Sequence, residues 1–232
     1  MKRIALSFLL LAVMAGCGPS IDPALQSRVA TYFGKAGGQT YASSSQFLKP
    51  MPYAVGQYVV HGTVYDGKRS ISKTAIVGEE QGGWVIETYS LSESNESWTQ
   101  MLVKGLEKAG ETGMLDDIDI VWVKTKMKDE NVQTVEGPVL AITRGFYRDM
   151  LGGFKVKIGT PSAGGSVAVP AGTFNGTQKT GTEASFFGRT YKSDVWFHSE
   201  VPINGLVKSV SKEDGITMEL IEFGRSGAKR SF

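Results

Sequence analysis

Thiols and imidazoles are scarce in this chain. It holds one cysteine and two histidines in 232 residues. A lone cysteine cannot close an intrachain disulfide or build a cysteine-rich zinc site. His61 and His198 are far apart in sequence. Neither has a serine elbow or an aspartate at a catalytic spacing, so both read as structural or surface residues rather than general bases. No phosphate-cradling glycine loop and no dinucleotide fingerprint is present. Asp116, Asp117 and Asp119 lack the spacing and the glycine of a calcium loop and read as the solvated start of a strand. The expectation is therefore no enzyme, no metal and no cofactor. An excess of one charge is missing too. The 25 basic residues, less Lys2 and Arg3 of the leader described below, face 23 acidic ones. A formally neutral chain does not offer the basic surface that phosphate contacts need, which excludes nucleic acid as a partner. Lys229-Arg230 is a small solvated cluster.

Long apolar runs are absent after the first. That first run, Ile4 to Met14, follows Met1-Lys2-Arg3 and ends in Met14-Ala15-Gly16-Cys17. It is too short to span a bilayer, which takes roughly 20 apolar residues. A basic start, a short apolar core and small residues before a cleavage point make a secretory signal. The four residues ending in Cys17 resemble the lipobox of bacterial lipoproteins, with Met14 where leucine is commonest. The resemblance implies a signal peptide over residues 1–16, cleavage before Cys17, thioether diacylglycerol on its sulfur and often a third acyl chain on its amine. Two or more acyl chains anchor stably where one does not. In the sorting pattern of these lipoproteins aspartate after the cysteine favours inner-membrane retention. Here Gly18 follows, which implies the outer membrane, facing the periplasm.

The mature part, about 215 residues, suffices for one substantial domain. Residues 17–51 read as lipidated cysteine, tether, short helix and linker. Asp22 caps and Pro23 opens the helix, and Leu25, Val29 and Phe33 form one stripe. Gly37 to Ser45 reads as a flexible linker or an ordered loop. Residues 52–232 read as a β-rich domain. Asp66-Gly67 is a strong hairpin signal, and Gly82-Gly83, Ser94-Asn95 and Glu213-Asp214-Gly215 mark further turns. Trp98 to Gly105 reads as a strand, although Met101, Leu102 and Leu106 also carry helical spacing. In the next strand the two-residue period places Ile118, Ile120 and Trp122 on one face. Gly137-Pro138 opens a central helix with Val139, Ile142, Phe146 and Met150 on one side. No fixed repeat appears, which argues against a propeller or solenoid.

The expected fold is mainly β (α+β): a curved antiparallel sheet, or open half-barrel, with an N-terminal helix and a central covering helix. A sheet that curves without closing has a concave apolar face, which helices cover or a ligand fills. Trp122, Phe174 and Trp196, with Val139, Ile142, Phe146 and Met150 on a lid helix, are the candidate lining for an acyl chain or similar ligand. The order of helix, strands, helix and strands resembles the open half-barrel of the LolA/LolB-like lipoprotein-localisation fold. Val169-Pro170-Ala171-Gly172-Thr173-Phe174, Trp196 and Val201 to Lys208 look like those of envelope lipoproteins placed near it. The resemblance implies a membrane-anchored module binding a hydrophobic ligand. The alternative is a structural or assembly lipoprotein with a filled core that binds another envelope protein.

Overall fold

The computed structural model describes residues 21–42, 51–108, 117–150, 162–186, 189–211 and 213–232. Cys17 and its leader lie outside the described residues. Helix α1 (Pro23–Phe33) starts as its sequence dictates. The Asp22 carboxylate accepts from the amides of Ala24 at 2.9 Å and Leu25 at 3.4 Å. These are two of the amides that a helix start leaves without a partner.

Twelve strands follow among the described residues: β1 (Thr40–Tyr41), β2 (Tyr58–Tyr65), β3 (Lys68–Glu80), β4 (Gly83–Ser92), β5 (Glu96–Lys104), β6 (Asp119–Met127), β7 (Gln133–Val135), β8 (Ser162–Val169), β9 (Gly172–Phe186), β10 (Arg189–Phe197), β11 (Leu206–Ser211) and β12 (Ile216–Gly224). Helix α2 (Gly137–Met150) lies between β7 and β8. All twelve belong to one sheet in the order β1-β9-β10-β11-β12-β2-β3-β4-β5-β6-β7, with β8 paired to β9. Its two end strands, β1 and β7, do not pair, so the sheet stays open. The fold is mainly β, as expected.

The turns follow local chemistry. Asp66 and Gly67 both take positive φ, 49° and 72°, and bring Tyr65 opposite Lys68. Gln81 and Gly82 repeat those angles between β3 and β4. Two successive left-handed residues match the twist of the flanking strands. The Thr40–Tyr41 stretch, read as linker or loop, is a short strand parallel to β9, with Tyr41 opposite Phe174.

Both faces of the sheet are covered. On one side α1 packs Leu25 and Val29 against Val60, Ile71, Tyr89, Leu91 and Ile221. Gly62 makes room there, because a Cβ would stand 2.6 Å from Ile221 Cδ1 and 2.8 Å from Phe33 Cζ. Farther along the same side the C-terminal segment crosses the strands. Ala228 packs on Ala75, Val77, Val85 and Leu102. Ser231 donates from its amide and hydroxyl to the buried Glu87 carboxylate at 2.9 and 2.7 Å.

On the other side β8 packs across β11 and β12. Phe174, Val201, Ile203, Val207 and Leu220 are wholly buried there against Val59, Ile76 and Val167. Next to them Ile86, Met101, Val103, Ile118, Ile120, Val123 and Leu140 form a second cluster. Tyr53 and Trp84 pack against both clusters, their rings 6.3 Å apart. On this face, which the sequence offers to a ligand or to covering helices, the described core side chains pack against one another in these two clusters.

One register expectation fails for a definite reason. Leu102 lies opposite Trp122, and Val103 lies opposite Ile120, so Val121 is an extra residue in β6. A bulge of this kind inverts the alternation beyond it. Val123 therefore joins Ile118 and Ile120 in the core, while Trp122 points to the opposite side with Val85 and Leu102.

Candidate functional site

The largest departure from expectation is the orientation of α2. Gly137 enters with φ 58°, and Pro138 fills the first turn, where its missing N–H is not needed. The helix carries two apolar stripes. Leu140 is buried against β5 and β6, and Tyr147 packs half-buried beside it. These two are seven residues apart, two turns on one side of the helix. Val139, Ile142 and Phe146 form the other stripe and are 59%, 85% and 51% exposed. The expected lid face is thus turned to solvent, and Leu140 with Tyr147 seats the helix instead. Arg144 adds a polar fastening, with Nη1 3.4 Å from the Asp119 carboxylate. Its Nε is buried and finds no partner among the described residues.

Among the six candidate ligand residues whose side chains are described, Phe174 and Trp196 share a cluster and the others lie elsewhere. Phe174 is fully buried and stacks on Tyr41, with centroids 4.4 Å apart and planes at 12°. Trp196 packs half-buried on the same core cluster, with the Lys179 ammonium 5.0 Å above its ring. Trp122 lies on the opposite side of the sheet under Lys124, at 4.8 Å. Val139, Ile142 and Phe146 face outward. Met150 belongs to α2, but its side-chain surroundings lie outside what is described.

Both histidines are buried and bonded to backbone. His61 Nε2 lies 3.0 Å from the Leu206 carbonyl. Burial holds its ring below the ordinary value of 6.5, against the opposing effect of that hydrogen bond. His198 sits where β9 passes from β10 to β1. Its Nε2 lies 3.2 and 3.1 Å from the carbonyls of Ala42 and Asn175, and its Nδ1 accepts from the Glu200 amide at 3.2 Å. Its ring also meets Phe174 edge-on at 5.2 Å. Backbone occupies both ring nitrogens of His198, so the ring works as a joint between strands.

The buried acids are likewise held by neighbours. Glu96 accepts from Arg28 Nη1 and Nη2 at 2.7 and 2.6 Å and from the Tyr89 hydroxyl at 2.9 Å. The Arg28 hydrogen bonds hold its carboxyl below the usual range against desolvation. Burial, aided by Glu96, pushes the Tyr89 phenol up. Glu87 accepts from Gln100 as well as from Ser231. Asp117 pairs with Lys108 at 2.6 Å. Among the described residues no group of three or more histidine, cysteine, aspartate or glutamate side chains gathers as a metal site would require. Nor is any described helix long and apolar enough to cross a membrane.

No protein-family model matches the chain, and no curated protein matches it. Among solved structures it is similar to a protein of Bacteroides fragilis described as exported and as having a YmcC-like fold. That likeness has 12% identity and a TM-score of 0.33, over 76% of this chain and 99% of the other. It is also similar to PNGF-II, at 10% identity and a TM-score of 0.27, over 76% of this chain and 29% of the other. Both TM-scores are below 0.5. The geometry is an open sheet with two buried clusters on one side and an apolar helix face turned outward.

Nothing in the sequence alone chose between the two stripes of α2. Val139, Ile142 and Phe146 are as apolar as the seated pair. The choice is made by β7 and β6, which fix where the helix starts and which side meets Ile120 and Val123.

Proposed function

We propose that this chain is a lipid-anchored envelope protein, held in the outer membrane by acyl chains on Cys17. It works as a non-enzymatic docking module and encloses no lipid. Its working surface is the outward stripe of α2, and the occupant is another envelope protein. The observation that carries this reading is the pairing of a filled sheet face with an exposed apolar helix face. A carrier of acyl chains needs room between sheet and lid. Here Leu140 and Tyr147 of the helix pack directly on Ile120 and Val123, and in the neighbouring cluster Phe174, Val207 and Leu220 are wholly buried. Exposed apolar residues are unremarkable singly, but three at helical spacing on one helix face form a patch suited to a partner.

The anchor explains why the bilayer is not that partner. Asp22, at the tether, is bonded to Lys128 just past the end of β6, whereas α2 is fastened to Asp119 at its start. The nine steps from Asp119 to Lys128, rising about 3.3 Å each, separate those points by about 30 Å.

The test is a photocrosslinking amino acid at Ile142 in intact cells. A discrete protein adduct, lost in Phe146→Asp and absent when the crosslinker is at exposed Tyr65 of the β2–β3 turn, is the expected result. Adducts to lipid alone, or the same bands from both positions, would overturn the reading.

A further inference from the structure

Three exposed apolar side chains lie at one end of the sheet, the end where α1 begins. Ile21 directly precedes the α1 cap, and Met127 and Val132 flank the turn between β6 and β7. Hydrogen bonds bind these pieces together. The Asp22 amide donates to the Glu93 carbonyl at 2.9 Å, and Lys128 Nζ reaches the Asp22 carboxylate at 2.9 Å. The Lys128 amide donates to the Glu96 carbonyl at 2.9 Å. The start of α1, the β4–β5 turn and the β6–β7 turn therefore form one apex.

We infer that this apex is a membrane-contact site, where Ile21, Met127 and Val132 enter the headgroup boundary of the bilayer that holds Cys17. The inference rests on the lipid-anchored reading above. The occupant follows from chain length. From Cys17 to Asp22 there are five peptide steps, which span at most about 18 Å. A bilayer holding the acyl chains is never farther than that from the apex, and apolar side chains at such a boundary lose water by entering it.

The charges select the headgroup. Asp129 and Glu130 are exposed in the same turn, and Glu93 is half-exposed in the neighbouring one. Lys128 is engaged by Asp22, and Lys126 lies 5.8 Å from the ring of Trp98. The apex therefore presents carboxylates, which suit zwitterionic headgroups carrying an ammonium and are repelled by anionic ones.

Cys17 is the only cysteine. Acylation occupies it, so an introduced thiol is the sole labelling point. Lipidated Met127→Cys, Val132→Cys and Ile142→Cys proteins would each carry an environment-sensitive fluorophore and be reconstituted into vesicles of phosphatidylethanolamine and phosphatidylcholine bearing a nitroxide-labelled lipid. The expected result is loss of most emission at 127 and 132, none at 142, and weaker quenching at 127 and 132 in phosphatidylglycerol-rich vesicles at low salt. If the proteins float with the vesicles while 127 and 132 stay bright, the apex proposal fails and the anchor reading stands. Quenching at 142 would also overturn it, by laying the sheet edge along the bilayer. Failure of the full chain to float at all would remove the anchor reading and the proposal together.

Discussion

Replacing Phe174 by alanine separates a filled core from a ligand cavity. The ring is fully buried, stacked on Tyr41 at 4.4 Å, edge-on to His198 at 5.2 Å and 6.0 Å from Phe223. Removing a buried phenylalanine ring loses its transfer free energy, about 1.5–3 kcal/mol. The unfilled space and the lost aromatic contacts bring the usual cost to about 3–5 kcal/mol. Collapse into the space is limited here. Tyr41 is held by the β1–β9 pairing, and His198 is tied through both ring nitrogens, so a value near the upper end, about 4–5 kcal/mol, is expected. Urea unfolding of the mature domain lacking Cys17, followed by tryptophan fluorescence, measures it as a shift in midpoint at constant slope. A loss below about 1 kcal/mol in a natively folded variant would refute the reasoning, since that is the cost of an ordinary surface or cavity-lining change. It would mean that Phe174 borders open space.

Further predictions follow from the same geometry. In α2, Leu140→Ala is expected to cost about 2–4 kcal/mol. Ile142→Asp on the outward stripe is expected to change stability by no more than about 0.5 kcal/mol. The same denaturation assay compares them, and the reverse order would mean that the helix is seated the other way. Acid sensitivity has two sources with the same sign. His61 is held below 6.5 by burial, so the unfolded chain takes up its proton first and stability falls as pH drops through 6.5 toward the folded value. Glu96 is held below 4.5 by Arg28, so a second loss begins below 4.5. Midpoints measured against pH should flatten in the upper window for His61→Gln and in the lower one for Glu96→Gln. Cys17→Ser should release the protein from the membrane fraction and abolish acyl labelling; unchanged membrane retention would contradict the anchor.

Much of the scaffold is legible in the residues because short-range chemistry sets it. Asp22 with Pro23 announces α1, and Leu25 and Val29 give its buried stripe. Asp66-Gly67 takes the two left-handed conformations that its hairpin needs. Residues that depend on long-range register are not legible in this way. The bulge at Val121 leaves no signature in a run of apolar residues, yet it moves Trp122 to the other side of the sheet. Thr40–Tyr41 has no strand pattern of its own and becomes one only because β9 continues past the end of β10. The candidate site suffered most. An apolar stripe on α2 predicts burial, and the helix has two such stripes, of which tertiary packing buries Leu140 and half-buries Tyr147. That β8 folds back over β11 and β12, with Val167 buried in the core there, could not be read from alternation alone.

The central claim is that this sheet holds its own side chains and no lipid. Native mass spectrometry with solvent extraction, on the mature domain lacking Cys17 and purified from a bacterial envelope, tests it most directly. The account predicts the mass of the bare polypeptide and an empty lipid extract. A defined lipid retained near one per chain would contradict it and restore the enclosed-ligand reading.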